Sequence, residues 1–330
     1  MRKVREPPGV WYPLAPMTTS SDRRIWIDGR LVPWAEATVH VLSHSHQRGS
    51  LIFDYMGVYE TPRGLAVFRL DDHVRRFLVS AELVGLPLGQ DFAAIRAAIL
   101  ETVRANPGAK AVKVNAYLAS VEVDVVPADE HVTLAVAAYD PLADVLRPKG
   151  VTSRGFAPLR IWIEKERRNR RPDIMSPQAK VAANYASPMY AKWSAKRRGY
   201  DEVLLVDEQG FVAEGPTSNV FLVDREGVLR TPPEETVLLG VTRRSILEIA
   251  EAEGRKVVEE KFRPEALFEA AEAFITGTTA GAWAIASVDD HALPAAPGPV
   301  TKALGERFKR VTSGADPAFE RWLAYVEEGA

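Results

Sequence analysis

The amino-acid sequence predicts an α+β protein of two domains. Three observations lead there. The 330 residues suffice for two medium domains. Strand-period and helix-period stretches follow one another without an internal repeat, which sets solenoids and propellers aside. Between them, Tyr139–Phe156 carries two prolines and two glycines and no periodicity, as a connection between domains would.

Residues 1–23 are expected to be a Pro-rich N-terminal extension, because prolines stand where a secretory leader needs an unbroken apolar core of roughly 7–15 residues. The small domain, 24–138, opens with a hairpin over Arg24–Val32, where IWIDGRLV sets two apolar runs around an Asp-Gly pair. Strands are expected at Thr38–Ser43 and Ile52–Glu60. Thr61–Gly64 then turns the chain into a strand at Ala66–Arg69. Asp71 or Asp72 is the expected cap of a helix to about Val84, stopped by Gly85, and a second helix covers Asp91–Ala105. Strands at Val112–Val121 and Val132–Ala138 close the domain. After the interdomain loop at 139–156, the large domain, 157–330, brings a strand at Leu159–Glu164 and a helix over Asn184–Arg198. A hairpin over Glu202–Val223, turned at Glu208–Gly210, precedes a helix from Thr242 to Glu253.

Lys and Arg total 42 against 44 Asp and Glu, so no global field draws in nucleic acid or an anionic membrane. There is no cysteine, which removes disulfides, thiolate metal sites and a thiol nucleophile and agrees with a cytoplasmic protein. No window approaches the roughly 20 apolar residues of a membrane span. His40, His44 and His46 lack an accompanying carboxylate at ligand spacing, so no metal is expected. The run Lys165–Arg171 is short and without aromatics, as a solvated loop or a site rim would be.

The chemistry lies in a series of short segments. Lys180 sits among small residues in SPQAKVAANYASP, and taken alone a lysine is a surface residue. Asn184-Tyr185, Ala213-Glu214-Gly215, Leu239-Gly240-Val241-Thr242-Arg243 and Thr276-Gly277-Thr278-Thr279 follow it in order. Gly240–Thr242 opens a helix with a one-sided stripe at Ile246, Leu247, Ile249 and Ala250, and such an N-terminus offers free amides and a positive dipole end to an anion.

Taken together, from about Ile25 to Asp290, these segments resemble the fold-type IV pyridoxal-phosphate aminotransferases. That group holds the branched-chain and D-amino-acid aminotransferases, aminodeoxychorismate lyase and the (R)-selective amine transaminases. The resemblance implies a small α/β domain beside a larger, β-barrel-like α/β domain that binds pyridoxal 5′-phosphate. It implies that Lys180 carries the cofactor as a Schiff base and acts as the base. Tyr185 bonds the phenolic oxygen of the cofactor and Glu214 pairs with its pyridine nitrogen, keeping the ring an electron sink. Gly240, Val241, Thr242, Thr278 and Arg69 would hold the phosphate, and Leu238 would pack on the ring. Arg48, Phe53, Tyr55, Tyr117 and Thr279 would face the substrate. The expected partners are amino acids or amines, 2-oxo acids, and a second copy of the chain in a homodimer or larger homo-oligomer.

Within that group the features are mixed. Ser43-His44, Asn184-Tyr185, the Leu-Gly-Val-Thr-Arg run and Thr231-Pro-Pro233 look like branched-chain enzymes. Arg48 and Asp54 look like (R)-amine transaminases, and Ser218–Phe221 like D-amino-acid enzymes. Tyr55 replaces a glycine, and Ala119 stands where bacterial branched-chain enzymes place the arginine that contacts the distal carboxylate of glutamate. Arg48 is expected either to bind a substrate carboxylate or to pair with an acid such as Asp54. A branched-chain-type transaminase and a D-amino-acid or (R)-amine transaminase both stand as readings. A lyase-like enzyme or a non-catalytic homologue follows them.

Overall fold

The computed structural model describes residues 22–151 and 155–327; the first 21 residues of the expected extension lie outside them. Strands β1 (Arg24–Ile27) and β2 (Arg30–Pro33) form the expected hairpin over Asp28 and Gly29. Both turn residues have positive φ, 43° and 87°, the conformation that matches the twist of the flanking strands. The strand expected at Thr38–Ser43 is absent. Ser43 N closes a turn on His40 O (2.9 Å) and Leu42 N donates to His40 Nδ1 (3.1 Å), so local hydrogen bonds replace a ladder. Only Ser43 bridges to another segment, at Val121. A one-turn helix α1 (His44–Arg48) follows, closed by Gly49 at φ 70°.

Strands β3 (Ile52–Thr61) and β4 (Gly64–Phe68) lead to helix α2 (Leu70–Val84). Neither Asp71 nor Asp72 caps it; both occupy its first turn, where the helix dipole favours a carboxylate. Leu70, Val74, Phe77 and Ala81 share its buried face. Helix α3 (Phe92–Arg104) is capped by Asp91, whose side chain accepts from Ala94 N. Strands β5 (Ala111–Leu118) and β6 (Val132–Tyr139) complete the first sheet except for its edge. Residues 140–149, expected as featureless, hold a turn at 141–146 capped by Asp140 and a second at 147–149.

The second sheet takes β7 (Leu159–Arg168), β8 (Glu202–Val206) after helix α4 (Ala186–Arg197), β9 (Asn219–Val223) and β10 (Leu229–Thr231). Helix α5 (Val241–Ala252), β11 (Val257–Glu259), the short α6 (Pro264–Phe268), β12 (Glu272–Gly277), β13 (Gly281–Val288), β14 (His291–Ala292) and α7 (Pro299–Thr312) follow. Its order is β11-β10-β9-β12-β13-β7-β8, with β14 on β13. The expected hairpin between Glu202 and Val223 is broken in two. After the turn at Gly210 the chain runs back beside β8 only as far as Glu214. It then turns again and enters β9, which is separated from β7 in the sheet by β12 and β13. That second turn places Glu214 beside the gap between the sheets.

The last strand, β15 (Leu323–Tyr325), pairs with β4, giving the first sheet the order β15-β4-β3-β5-β6-β1-β2. Leu323–Tyr325, assigned by the sequence to the large domain, therefore lies at the edge of the first sheet. A core of Phe68, Phe221, Phe274, Phe308 and Trp322 draws side chains from both sheets. It stands next to a cavity of about 590 Å³ walled by β3 on one side and by β9, α5 and the β12–β13 turn on the other.

Candidate active site

Lys180 reaches this cavity from an extended segment stitched onto β3. Phe53 N donates to Lys180 O (3.0 Å), Ala182 N donates to Leu51 O (2.8 Å), and Ile52 bridges Val181. On its other side, Lys180 N donates to Ser80 Oγ on α2 (3.1 Å). The backbone is thus fixed and the side chain points into the cavity, where Nζ donates to Tyr185 Oη (3.1 Å). The Tyr185 ring is held by Phe53, with centroids 5.2 Å apart.

Glu214 is 3% exposed at the opposite wall. Its Oε1 accepts from Arg170 Nη2 (2.7 Å), and Oε2 accepts from Leu238 N (3.2 Å) and Asn219 Nδ2 (3.4 Å). Burial pushes the carboxyl above its ordinary range, against the pull of Arg170 and of the Leu238 amide. A carboxylate with strengthened basicity, fixed by three donors, is suited to holding a proton on a ring nitrogen.

A third wall is built for an anion. Gly240 precedes the 12-residue helix α5 without a side-chain cap, so the amides of its first turn are open to a ligand. A Cβ on Gly240 would run into Asn219 Oδ1, so glycine is required by close approach. Arg76 lines the same wall and donates from Nη1 to Leu239 O (2.9 Å). Its other guanidinium nitrogens grip Asp54 (2.7 and 2.9 Å), which His73 Nδ1 also contacts at 2.7 Å. Although burial acts to raise the Asp54 carboxyl, Arg76 and His73 hold it far below the usual carboxylate range. Ser218 Oγ, Thr276 Oγ1 and Arg170 Nε are buried at the cavity without a hydrogen-bond partner among the described residues. Such orphans need a ligand to satisfy them. An amine, a fixed carboxylate and an anion cradle with free donors fit pyridoxal 5′-phosphate.

Of the residues expected from the sequence, Lys180, Tyr185, Glu214, Leu238, Gly240, Val241, Thr242, Thr278, Thr279, Phe53 and Tyr55 come together around this one cavity. Thr278 Oγ1 donates to Tyr55 O (3.4 Å). Three residues do not. Arg69 lines a separate cavity, its guanidinium committed to Asp72 (2.5 Å), Glu248 (2.7 Å) and Ser245 (3.3 Å) and lying 4.2 Å over Trp322. Arg48 turns away and donates to Val123 O (2.6 Å), Asp124 O (3.2 Å) and Gln47 Oε1 (2.8 Å); it reaches neither the cavity nor Asp54. Tyr117 is buried on β5 outside the cavity wall.

Two residues were missed. Arg76 lies on α2 with His73, Phe77 and Ser80, and a buried helical face interrupted by His and Arg is a local sign of charges with partners. Arg170 carries no such sign, being one of several basic residues in a short run. That run is otherwise dispersed: Lys165 pairs with Asp289, Arg167 stacks on Tyr190, and Arg171 pairs with Asp173. Among the described residues no group of three His or acidic side chains could hold a metal, and no helix is long and apolar enough to cross a membrane.

Comparison with known proteins gives the family to which the fold and sequence belong. The family model described as Amino-transferase class IV matches residues 51–288. The branched-chain-amino-acid aminotransferase of Pseudomonas aeruginosa is 31% identical over 311 residues, covering 93% of this chain and 98% of that protein. The Thermoproteus uzoniensis branched-chain aminotransferase with norvaline superposes with a TM-score of 0.83 at 32% identity, over 92% of this chain and 99% of its own. The Thermobaculum terrenum branched-chain amino acid aminotransferase in its PLP-bound holo-form gives a TM-score of 0.82 at 29% identity, over 92% of this chain and 98% of its own.

Proposed function

We propose, on the premise that this chain belongs to the class IV amino-transferase family and is a pyridoxal 5′-phosphate-dependent transaminase, that its amino donor is a branched-chain amino acid. The acceptor is a 2-oxo acid, and the exchange is ping-pong: the first product leaves before the second substrate enters. One observation carries the assignment of roles. Lys180 Nζ and the Glu214 carboxylate face one cavity from opposite walls, and an open helix N-terminus forms a third.

Bound pyridoxal 5′-phosphate supplies a carbonyl that takes up the amino group and a protonated ring that draws electrons from the substrate carbon. Lys180 holds the cofactor and then moves the proton at the substrate α-carbon. Tyr185 orients the amine through its hydroxyl. Glu214 holds the proton at the pyridine nitrogen, and Arg170 fixes Glu214. The amides of Val241 and Thr242, the Thr278 hydroxyl and Arg76 take the phosphate, with Leu238 packed on the ring. Phe53, Tyr55 and Thr279 face the substrate.

A D-amino acid or (R)-amine donor is the second reading, favoured by the Tyr55 side chain that lines the cavity where branched-chain enzymes have glycine. The working unit in this proposal is a homodimer or larger homo-oligomer. Val39, Val41, Val121, Val123, Val125 and Val126 are exposed on two loops joined by His44 N to Ser120 O (2.9 Å) and His44 Nε2 to Val125 O (2.8 Å). An exposed apolar patch of that kind is suited to a partner surface.

The test is a set of single half-reactions on the cofactor-loaded protein with L-leucine, D-alanine, D-glutamate and (R)-1-phenylethylamine. The cofactor absorbance band should bleach fastest with L-leucine. Faster bleaching by one of the other three replaces the first reading with the second, and no bleaching with any of them overturns the substrate assignment.

A further inference from the structure

Arg69, set apart from the cofactor cavity, lines a second one of about 570 Å³ where α2 and α5 meet α3 and residues 320–325. Six arginines face it, Arg63, Arg69, Arg75, Arg96, Arg244 and Arg321, against four carboxylates. Arg96 pairs with Asp71 (3.1 Å) and Arg63 with Glu320 (2.7 Å). The other two carboxylates are shared. Asp72 accepts from Arg69 (2.5 Å), Arg244 (3.2 Å) and Arg75 (3.4 Å), and Glu248 from Arg69 (2.7 Å) and Arg244 (2.9 Å). Three guanidiniums thus divide two carboxylates. Arg321 donates to Ala318 O (3.0 Å) and has no ion pair among the described residues. Aromatic rings back two of the arginines: Arg69 lies 4.2 Å over Trp322 and Arg63 4.4 Å over Tyr325. Stacking holds the plane of a guanidinium and leaves its edge for an anion. A walled cavity with surplus positive charge focuses anions, and the guanidinium fork matches the oxygens of a phosphate or carboxylate.

We propose that this cavity is a second binding site, for a small anion bearing at least two negative charges on phosphate or carboxylate groups. Such an anion completes the charge balance that Asp72 and Glu248 leave short. It also bridges α2, which carries Arg76, to α5, whose first turn forms the anion cradle of the cofactor cavity. None of the residues that line it takes part in the proposed transamination, so the site stands or falls apart from that reaction.

The experiment is calorimetric titration of the holoenzyme with tripolyphosphate and, separately, with citrate, at about 0.15 M salt so that only close charges count. Wild type is compared with Arg75→Gln/Arg321→Gln, two exposed positions, and with Lys110→Gln/Arg171→Gln, which removes the same charge from exposed pairs elsewhere. Wild type should bind at least one probe with a Kd below about 1 mM, and the cavity variant should weaken it roughly tenfold or more. The second variant should stay within about twofold, as screened distant charges would. Binding of tripolyphosphate alone assigns phosphate, of citrate alone carboxylate, and of both a site that reads charge. Binding of neither overturns the proposal, as does an equal loss in the two variants. Release of the cofactor in step with the titration, seen in its absorbance, would place the probe in the cofactor cradle and also overturn it. Should the cavity variant melt below wild type, Arg321→Gln, which breaks no ion pair, takes its place and should weaken binding roughly threefold; unchanged affinity there is equally fatal.

Discussion

Removing Arg170 should expose how much of the candidate site depends on one ion pair. Glu214 is 3% exposed, and its short bond at 2.7 Å comes from Arg170. Arg170→Met leaves a buried carboxylate with only Leu238 N and Asn219 Nδ2 as donors, at 3.2 and 3.4 Å. Breaking a buried pair from one side typically costs about 3–5 kcal/mol. Part of this is a further rise of a carboxyl already held above its ordinary 4.5 by burial, at ~1.4 kcal/mol per pKa unit. The sign of the pH dependence follows. A carboxyl whose folded pKa exceeds its unfolded one binds more protons in the folded state between the two values. Stability is then fully present below the unfolded value and falls as pH rises through the folded one. The variant should therefore lose stability between acid and neutral pH more steeply than wild type. Urea unfolding of the cofactor-free proteins at stepped pH measures this. Arg170→Met with Glu214→Gln, which removes both charges, should recover a large part of the loss. A single-variant loss under ~1 kcal/mol with unchanged pH dependence would refute the reasoning, because so small an effect is that of an exposed pair.

Four further outcomes are expected. Lys180→Ala should abolish both turnover and the absorbance of lysine-bound cofactor, as read by spectrum and half-reaction; a variant that keeps both removes Lys180 from its role. Arg76→Met should weaken cofactor affinity at least tenfold, following ~1.5–3 kcal/mol for a charged hydrogen bond. Arg69→Met should lower the melting midpoint with cofactor affinity unchanged, and equal affinity losses in the two variants would move the anion cradle. Val123, 96% exposed, and Val125, 73% exposed, changed to Asp together should lower the mass measured by light scattering; a wild type already monomeric would end the oligomer reading.

What the sequence disclosed is what local chemistry decides. The Asp28-Gly29 turn, the start of the second helix at Asp91, and the Gly240 entry to α5 each depend on a few adjacent residues, and each is where the sequence placed it. Thr38–Ser43 shows the limit of alternation as a signal, since a period of two makes a strand only where a neighbour offers a ladder, and here His40 draws the chain into a turn instead. The arginines show the same limit at longer range. Arg69, Arg76 and Arg48 are all plausible anion ligands by type. Their fates are set by Glu248, Asp54 and Val123 O, which lie 179, 22 and 75 residues away. Arg170 was invisible for that reason, and the return of Leu323–Tyr325 to β4 for the same one.

The attachment of Lys180 to β3 makes the distance across the cavity a property of two sheets rather than of one. Its backbone is registered by Leu51 and Phe53 in the first sheet, whereas Glu214 and the start of α5 are set by the second. Any slow rotation of one sheet against the other would move the amine relative to the carboxylate without altering a single side-chain rotamer. Substitutions in the shared core at Phe68, Phe308 or Trp322 are therefore able to detune proton transfer from a distance, and residues 157–330 by themselves would lack both the Arg76 of the anion cradle and the strand that aims the lysine.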